Sequence, residues 1–246
     1  MLLRRLGYER RRVSLPLETI AARAGEDAPY YREYASPSPI FSPWTTPGFQ
    51  ALYAPAAECT AGTPERAYML AALARYAKQF PGDFAESGVY QGGSALLLGQ
   101  MLQDTAKKLY LFDSFKGLPK PDSNHDPFFQ QGEYAAALER VKERLGKFSR
   151  LTEFREGWIP DTFAGLEDRR YAFTHIDVDL YQPTLDCCRY FYPRLTAGAV
   201  MLFDEYGFSS AHGEKVAVDE FFAGQPEEPI PLITGQAFVI KLPLNR

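Results

Sequence analysis

Two short stretches of the chain gather side chains able to handle protons or hard cations. In Thr174-His175-Ile176-Asp177-Val178-Asp179-Leu180-Tyr181 the aspartates stand at i and i+2. On a strand that spacing directs both to one face, roughly 6–7 Å apart at the backbone. Ala199-Val200-Met201-Leu202-Phe203 reads as a buried strand and ends in Asp204-Glu205-Tyr206-Gly207. Asp177, Asp179, Asp204 and Glu205 are therefore expected on one sheet edge. Like charges gathered there repel unless they share a proton or a cation. Hard oxygen donors suit Mg²⁺ or a related ion. Helix capping explains most single aspartates at strand ends, but it explains two clusters on one edge less well. Asp204 and Glu205 are adjacent, so both can face an ion only if the chain leaves the sheet there.

A glycine turn, Glu86-Ser87-Gly88-Val89-Tyr90-Gln91-Gly92-Gly93-Ser94, follows a short apolar run. Glycines let a backbone approach a ligand closely, and the next helix offers unpaired N–H groups to an anionic group. Neither GxGxxG nor a Walker P-loop is present, and such a turn alone can be a tight strand–helix connection. Asp113, which ends Leu109-Tyr110-Leu111-Phe112, lies about 20–27 residues further on, where a carboxylate can accept both hydroxyls of a ribose. The pair favours an adenosine-containing ligand.

Positioning these groups takes alternating strands and helices. Thr63 is an N-cap with Pro64 at the first helical position, and Met69, Leu70, Leu73, Tyr76 and Ala77 recur at helical spacing up to Pro81-Gly82. Strands are expected at 83–86, 109–113, 153–156, 171–177, 199–204, 230–233 and 237–242. Helices are expected at 94–102, 134–145, from Pro183 to about Leu195, and at 215–222. Residues 117–132 form a polar insertion long enough for a mobile loop. The short Thr234-Gly235-Gln236 connection makes the last strand pair antiparallel. The fold class is α/β, a doubly wound, mostly parallel sheet of about seven strands with an antiparallel end. Residues 61–246 form one domain, and residues 1–60 an extension. There the prolines from Pro37 to Pro47 are expected to break regular structure, while aromatics such as Tyr30, Tyr31, Tyr34 and Trp44 need somewhere to pack. That arm wraps the core, caps the site or joins the subunits of a homo-oligomer.

Lys plus Arg number 27 against 31 Asp plus Glu, a net charge of -4 that gives no electrostatic reason to expect nucleic acid or an anionic membrane. No apolar run approaches the ~18 residues of a membrane span, and no apolar h-region follows Arg4, Arg5 and Arg10 to Arg12. Cys59, Cys187 and Cys188 make neither a disulfide framework nor a zinc spacing. A cytoplasmic protein with reduced thiols is expected.

From about Thr60 to Lys241 the chain resembles the macrocin O-methyltransferase (TylF) family. The resemblance is carried by Thr63-Pro64-Glu65-Arg66, by Gly82-Asp83-Phe84-Ala85-Glu86-Ser87-Gly88-Val89 with Gly92-Gly93-Ser94, and by Phe112-Asp113-Ser114-Phe115-Lys116-Gly117-Leu118-Pro119. Gly157-Trp158-Ile159-Pro160-Asp161-Thr162-Phe163, His175 to Tyr181 and Asp204 to Gly207 complete it. It implies a Rossmann-like class I methyltransferase using S-adenosylmethionine and Mg²⁺, with Asp177, Asp204 and Glu205 on the metal and Asp179 as general base. It implies Glu86, Gly88 and Ser94 near the methionine part, Asp113 and Ser114 at the ribose, and Gly157 and Trp158 beside the adenine. Val89, Tyr90, Phe115 and Asp177 complete the expected cofactor set. Tyr181, Tyr206 and His212, the last in the polar loop after Tyr206, are candidate substrate contacts, although a lone loop histidine is more often simply solvated.

The expected reaction is O-methylation of a small molecule, on a sugar of a secondary metabolite or glycan or on a phenolic ring. A second neighbouring oxygen on the acceptor could chelate the ion. Three departures stand out: Glu205 where the family usually has aspartate, Ile233-Thr234-Gly235-Gln236 where it has an acid–glycine pattern, and an N-terminal segment without counterpart. The rival readings are a nicotinamide-dependent oxidoreductase, which Asp113 alone allows, and a non-catalytic adenosyl-ligand-binding subunit. The missing GxGxxG and the acidic cluster disfavour the first. The second needs no base and so leaves Asp179 without a purpose.

Overall fold

Alternation along each strand sorts its side chains onto two faces of one sheet. A computed structural model describes residues 42–243. In β1 (Asp83–Ser87), Phe84 joins one hydrophobic cluster and Ala85 the other. In β2 (Leu109–Asp113), Leu109 and Leu111 part from Tyr110 and Phe112 in the same way. All six are fully buried, as a parallel sheet covered on both faces requires.

The first cluster takes in side chains from α1 (Pro47–Ala57), α2 (Pro64–Ala77), α3 (Gly93–Leu102) and α4 (Leu138–Arg144). The second takes in α5 (Tyr181–Phe191) and α6 (His212–Phe222). With β3 (Thr152–Glu156), β4 (Tyr171–Ile176), β5 (Leu195–Phe203), β6 (Ile230–Pro231) and β7 (Ala237–Ile240), the sheet has seven strands in the order β3-β2-β1-β4-β5-β7-β6. Strands β1 to β5 run parallel, and β7 is antiparallel to both neighbours. The doubly wound α/β expectation is met. The order reverses between β1 and β4, and ligands in such sheets bind beyond the strand ends at that point.

Several boundaries differ from the sequence reading, each for a local reason. Strand β4 stops at Ile176, so Asp177 lies just past it. The helix expected from Tyr134 begins only at Leu138, because Tyr134 takes a φ of 60°, outside the helical region. Helix α6 starts at His212 rather than 215, which puts His212 in a helical turn and not in a loop. Strand β6 shrinks to two residues, since Leu232 and Gly235 spend their N–H groups closing the turn, on Gln236 O and Leu232 O.

Prolines do not abolish regular structure before residue 60. Pro47 opens α1, where a missing N–H costs nothing, and Phe49 packs 5.2 Å from Tyr68 of α2. Tyr30, Tyr31, Tyr34, Pro37, Pro39 and the arginine run lie outside the described residues. Among the described residues no helix is long and apolar enough to cross a membrane.

Candidate functional site

The ends of β1 and β4 meet where the strand order reverses, and they meet very closely. Gly88 N–H donates to Phe112 O at 2.9 Å, while Asp177 N–H donates to Ser87 O at 2.9 Å. Gly88 adopts φ 87°, and a Cβ placed there would lie 1.7 Å from the carbonyl oxygen of Asp177. Only glycine fits both the backbone angle and the gap.

Asp113 holds the turn that follows. Its Oδ2 accepts the N–H groups of Val89 (2.7 Å) and Tyr90 (2.8 Å), and its Oδ1 accepts that of Phe115 (2.6 Å). Burial raises its pKa against these donors. Both oxygens thus already serve the main chain, so any ribose contact has to use their remaining lone pairs. Ser114 Oγ is likewise engaged, donating to Gly117 O at 2.9 Å.

The acidic cluster assembles by turns rather than by strand pleat. Asp177 and Asp179 were expected to share a face of one strand. Both lie beyond β4 instead, and Asp179 sits at φ 62°, in the left-handed region. The turn still converges them: ligand atoms of Asp177, Asp179 and Glu205 lie within 4.8 Å of one another, as do those of His175, Asp177 and Asp204. The chain does leave the sheet after β5. Asp204 N–H still pairs with Ile176 O (2.9 Å), whereas Glu205 N–H turns to Glu214 Oε1 on α6 (2.9 Å). Both side chains consequently reach Arg66, whose Nη2 donates to Asp204 Oδ2 and to Glu205 Oε1.

His175 ties two carboxylates together. Its Nδ1 is 2.9 Å from Glu86 Oε1, and its Nε2 is 3.3 Å from Asp204 Oδ1. Burial alone would lower its pKa, but Asp204 and Glu86 outweigh that and hold the imidazolium well above the usual histidine range. Asp204 experiences the reverse: Arg66 and His175 overcome burial, and Gln236 Nε2 donates to its Oδ1 at 2.5 Å, so its carboxyl lies below the ordinary range. Asp177 and Asp179 are raised well above that range, by burial first and then by the charges of Asp204 and Glu205 respectively. Burial and Asp204 raise Glu205 as well, against Arg66.

A cavity of about 200 Å³ is walled by both assemblies. Its lining includes Gly88, Val89, Tyr90, Ser94, Asp113, Ser114, Gly157 and Trp158 from the expected cofactor set, and Asp177, Asp179, Asp204 and Glu205 from the cluster. Glu86 and Phe115 are not part of the wall: Glu86 pairs with His175 on the neighbouring strand, and Phe115 packs 6.3 Å from Phe154. Tyr181, Tyr206 and His212 do not line it either. Tyr181 stacks on His125 at 4.1 Å and donates its hydroxyl to Glu220, and Tyr206 donates to Asp219.

Among the wall residues without an assigned role in the sequence are His175, Arg66, Cys59, Thr60 and Tyr134. Arg66 stood only as part of a motif, and its burial against Asp204, 138 positions away, carries no local signal. Cys59 and Thr60 enter because Cys59 O accepts Gly93 N–H at 3.1 Å. Tyr134 closes the insertion, which is clipped at its base by Leu118 N–H to Glu133 O and Gly132 N–H to Leu118 O, and pinned near its tip where Asp126 accepts Tyr181 N–H at 3.0 Å. The Tyr134 ring meets Tyr90 edge-on at 5.7 Å. Burial and the charges of Asp179 and Glu205 push its phenol up to about 12.

Residues 63–237 match the family described as Macrocin-O-methyltransferase (TylF). The chain is 32% identical over 143 residues to 8-demethyl-8-(2,3-dimethoxy-alpha-L-rhamnosyl)-tetracenomycin-C 4'-O-methyltransferase of Streptomyces olivaceus, covering 53% of this chain and 55% of that protein. It is 30% identical over 141 residues to mycinamicin III 3''-O-methyltransferase of Micromonospora griseorubida, covering 51% and 56%. The chain thus spans about half the length of these curated relatives. The O-methyltransferase NovP superposes with a TM-score of 0.64 at 22% identity, over 75% of this chain and 84% of that one. The calicheamicin methyltransferase CalS11 gives 0.61 at 20%, over 83% and 99%. These superpositions bear on the fold. The matched segment takes in the glycine turn, Asp113 and the whole acidic cluster, and the chain belongs to the macrocin-O-methyltransferase (TylF) family.

Proposed function

We propose that this chain transfers a methyl group from S-adenosylmethionine to a hydroxyl of a small molecule, with a divalent cation such as Mg²⁺ held in the acidic cluster. The observation that carries this reading is a single cavity walled on the one hand by the glycine turn with Asp113 and on the other by four carboxylates. A donor nucleoside and a proton acceptor are both served by one space. The relatives act, by their names, on a rhamnosyl-bearing tetracenomycin and on mycinamicin III, which favours a sugar of a secondary metabolite as the acceptor. A glycan unit or a phenolic ring has the same hydroxyl chemistry.

In this reading Gly88, Val89, Tyr90 and Ser94 flank the methionine part, Asp113 and Ser114 the ribose, and Gly157 and Trp158 the adenine. The donor set fits a hard divalent ion: Asp177, Asp179 and Glu205 offer oxygens within 4.8 Å of one another, and mutual repulsion together with burial raises all three. Asp177 and Glu205 of that group would hold the ion, together with Asp204, whose ligand atom lies within 4.8 Å of one on Asp177. When bound, it supplies positive charge that lowers the cost of removing the acceptor's hydroxyl proton.

Asp179 receives that proton as the new C–O bond forms and the C–S bond of the donor breaks. Its ligand atom lies within 4.8 Å of those of Asp177 and Glu205, which puts it in reach of a hydroxyl held beside them. Tyr90 and Tyr134 wall the cavity, and their ring faces displace water and hold the acceptor in line beside the methionine end of the donor. A thermal-shift comparison tests the donor: S-adenosylhomocysteine is expected to raise the melting temperature and NAD to leave it unchanged. The opposite pattern would return the oxidoreductase reading.

A further inference from the structure

Arg66 stands where a helix-stabilising residue would not. It is the third residue of α2, near the positive end of the helix dipole, where a cation is unfavourable. It is also buried, at 9% exposure, with its Nε lacking any partner. What holds it is the acidic cluster, with Nη2 donating to both Asp204 and Glu205, and the Phe208 ring, 5.0 Å from its guanidinium carbon.

Asp204 does not need Arg66 for its placement: its main chain bonds Ile176, its Oδ1 accepts from Gln236, and His175 Nε2 lies 3.3 Å away. The main chain of Glu205 is held by its N–H on Glu214, while its carboxylate meets Arg66. Gln236 itself reaches back to the main-chain oxygen of Arg66 at 3.4 Å, a contact independent of the side chain at 66. Arg66 therefore brings charge to a frame whose main chain and Asp204 other residues hold. A guanidinium is weakly hydrated and always charged, so it remains an effective competitor for carboxylate oxygens inside a protein.

We propose that Arg66 is an internal counter-cation that competes with the divalent ion for Asp204 and Glu205 and so sets how weakly the site holds it. This rests on the metal reading above. An ion using Asp204 and Glu205 draws on the same two carboxylates as Nη2, which already takes one oxygen of each. The positive charge of Arg66 also stays within a few ångströms of the ion, a repulsion that low-dielectric surroundings strengthen. The consequence is a site that keeps its acids neutralised when empty and releases its ion readily.

The test is Mn²⁺ titration of the full chain, followed by the EPR signal of free Mn²⁺, for wild type, Arg66→Met and Arg66→Lys. Methionine keeps an unbranched stem without charge, and Arg66→Gln carries the same expectation should Arg66→Met not fold. Loss of the charge is expected to tighten Mn²⁺ binding by at least about 10-fold, equivalent to about 1.4 kcal/mol, while Arg66→Lys stays near wild type. Wild type that binds Mn²⁺ with Arg66→Met equal or weaker overturns the counter-cation role and leaves the metal reading standing. No uptake by wild type or any variant overturns both.

Discussion

Glu86 and His175 occupy the same level of two neighbouring parallel strands, and the carboxylate oxygen of one lies 2.9 Å from the ring nitrogen of the other. The register of β1 against β4 makes this contact, and through His175 it extends to Asp204 on the far side of β4. The buried centre of the sheet thus carries an ionic strut to the wall of the cavity.

That strut gives the metal-free protein a defined pH response. His175 has a folded pKa raised above 6.5, so its stabilisation is complete below 6.5 and is lost as pH rises through the raised value. The raised Asp177 and Asp179 act in the same direction: stability falls as pH climbs from 3.8 through their folded values. The depressed Asp204 acts in a separate window, losing its contribution as pH falls below 3.8. With chelator present, the melting temperature is expected to decline from pH 6.5 upward, by about 2–4 °C per kcal/mol lost. A midpoint rising through that range would contradict the arrangement.

Gly88→Ala is expected to destabilise the protein by about 2–4 kcal/mol, because alanine combines an unfavourable φ with a main-chain clash. The clash is with the residue that begins the acidic cluster, so S-adenosylhomocysteine binding is expected to vanish too. Urea unfolding and calorimetry measure both. An unchanged midpoint would mean that β1 and β4 end further apart than described.

Asp113→Ala removes the acceptor of three main-chain N–H groups, each costing about 1–3 kcal/mol if left buried and unpaired. The glycine turn should loosen, and S-adenosylhomocysteine affinity should fall by at least about 10-fold. Asp113→Asn, which keeps one carbonyl oxygen, should lose less. Equal affinity in all three proteins would remove Asp113 from the cofactor site.

Asp179→Asn keeps the size of the side chain and removes its basicity. S-adenosylhomocysteine binding is expected to persist while turnover drops by about 10²–10⁴-fold, the usual worth of a positioned base. Undiminished turnover on the true acceptor would assign the proton to another group.

The strands and the turn were legible in the sequence because their signals are local. The continuous apolar runs of β2 and β5, the glycines after Glu86, and Thr63-Pro64 ahead of α2 each act within a few residues. The acidic cluster was legible in composition but not in geometry. Asp177 and Asp179 converge through a left-handed residue past the strand end, which pleat arithmetic does not anticipate. His175, Arg66 and Tyr134 had no assigned role because their partners come from other elements: Glu86 by register, Asp204 by the approach of α2, Tyr90 by the clipped insertion. Tyr181, Tyr206 and His212 were candidate substrate contacts in the sequence, yet Tyr181 and His212 open α5 and α6, Tyr206 bonds Asp219 of α6, and none of the three lines the cavity.

The most direct test uses S-adenosylmethionine labelled with ¹³C in its methyl group, incubated with deoxysugar-bearing and phenolic acceptors, with and without a chelator. The label is expected on an acceptor oxygen, absent after chelation and restored by added Mg²⁺. Full transfer by thoroughly demetallated protein, or label arriving on nitrogen or carbon, would contradict a cation-assisted O-methylation at this site.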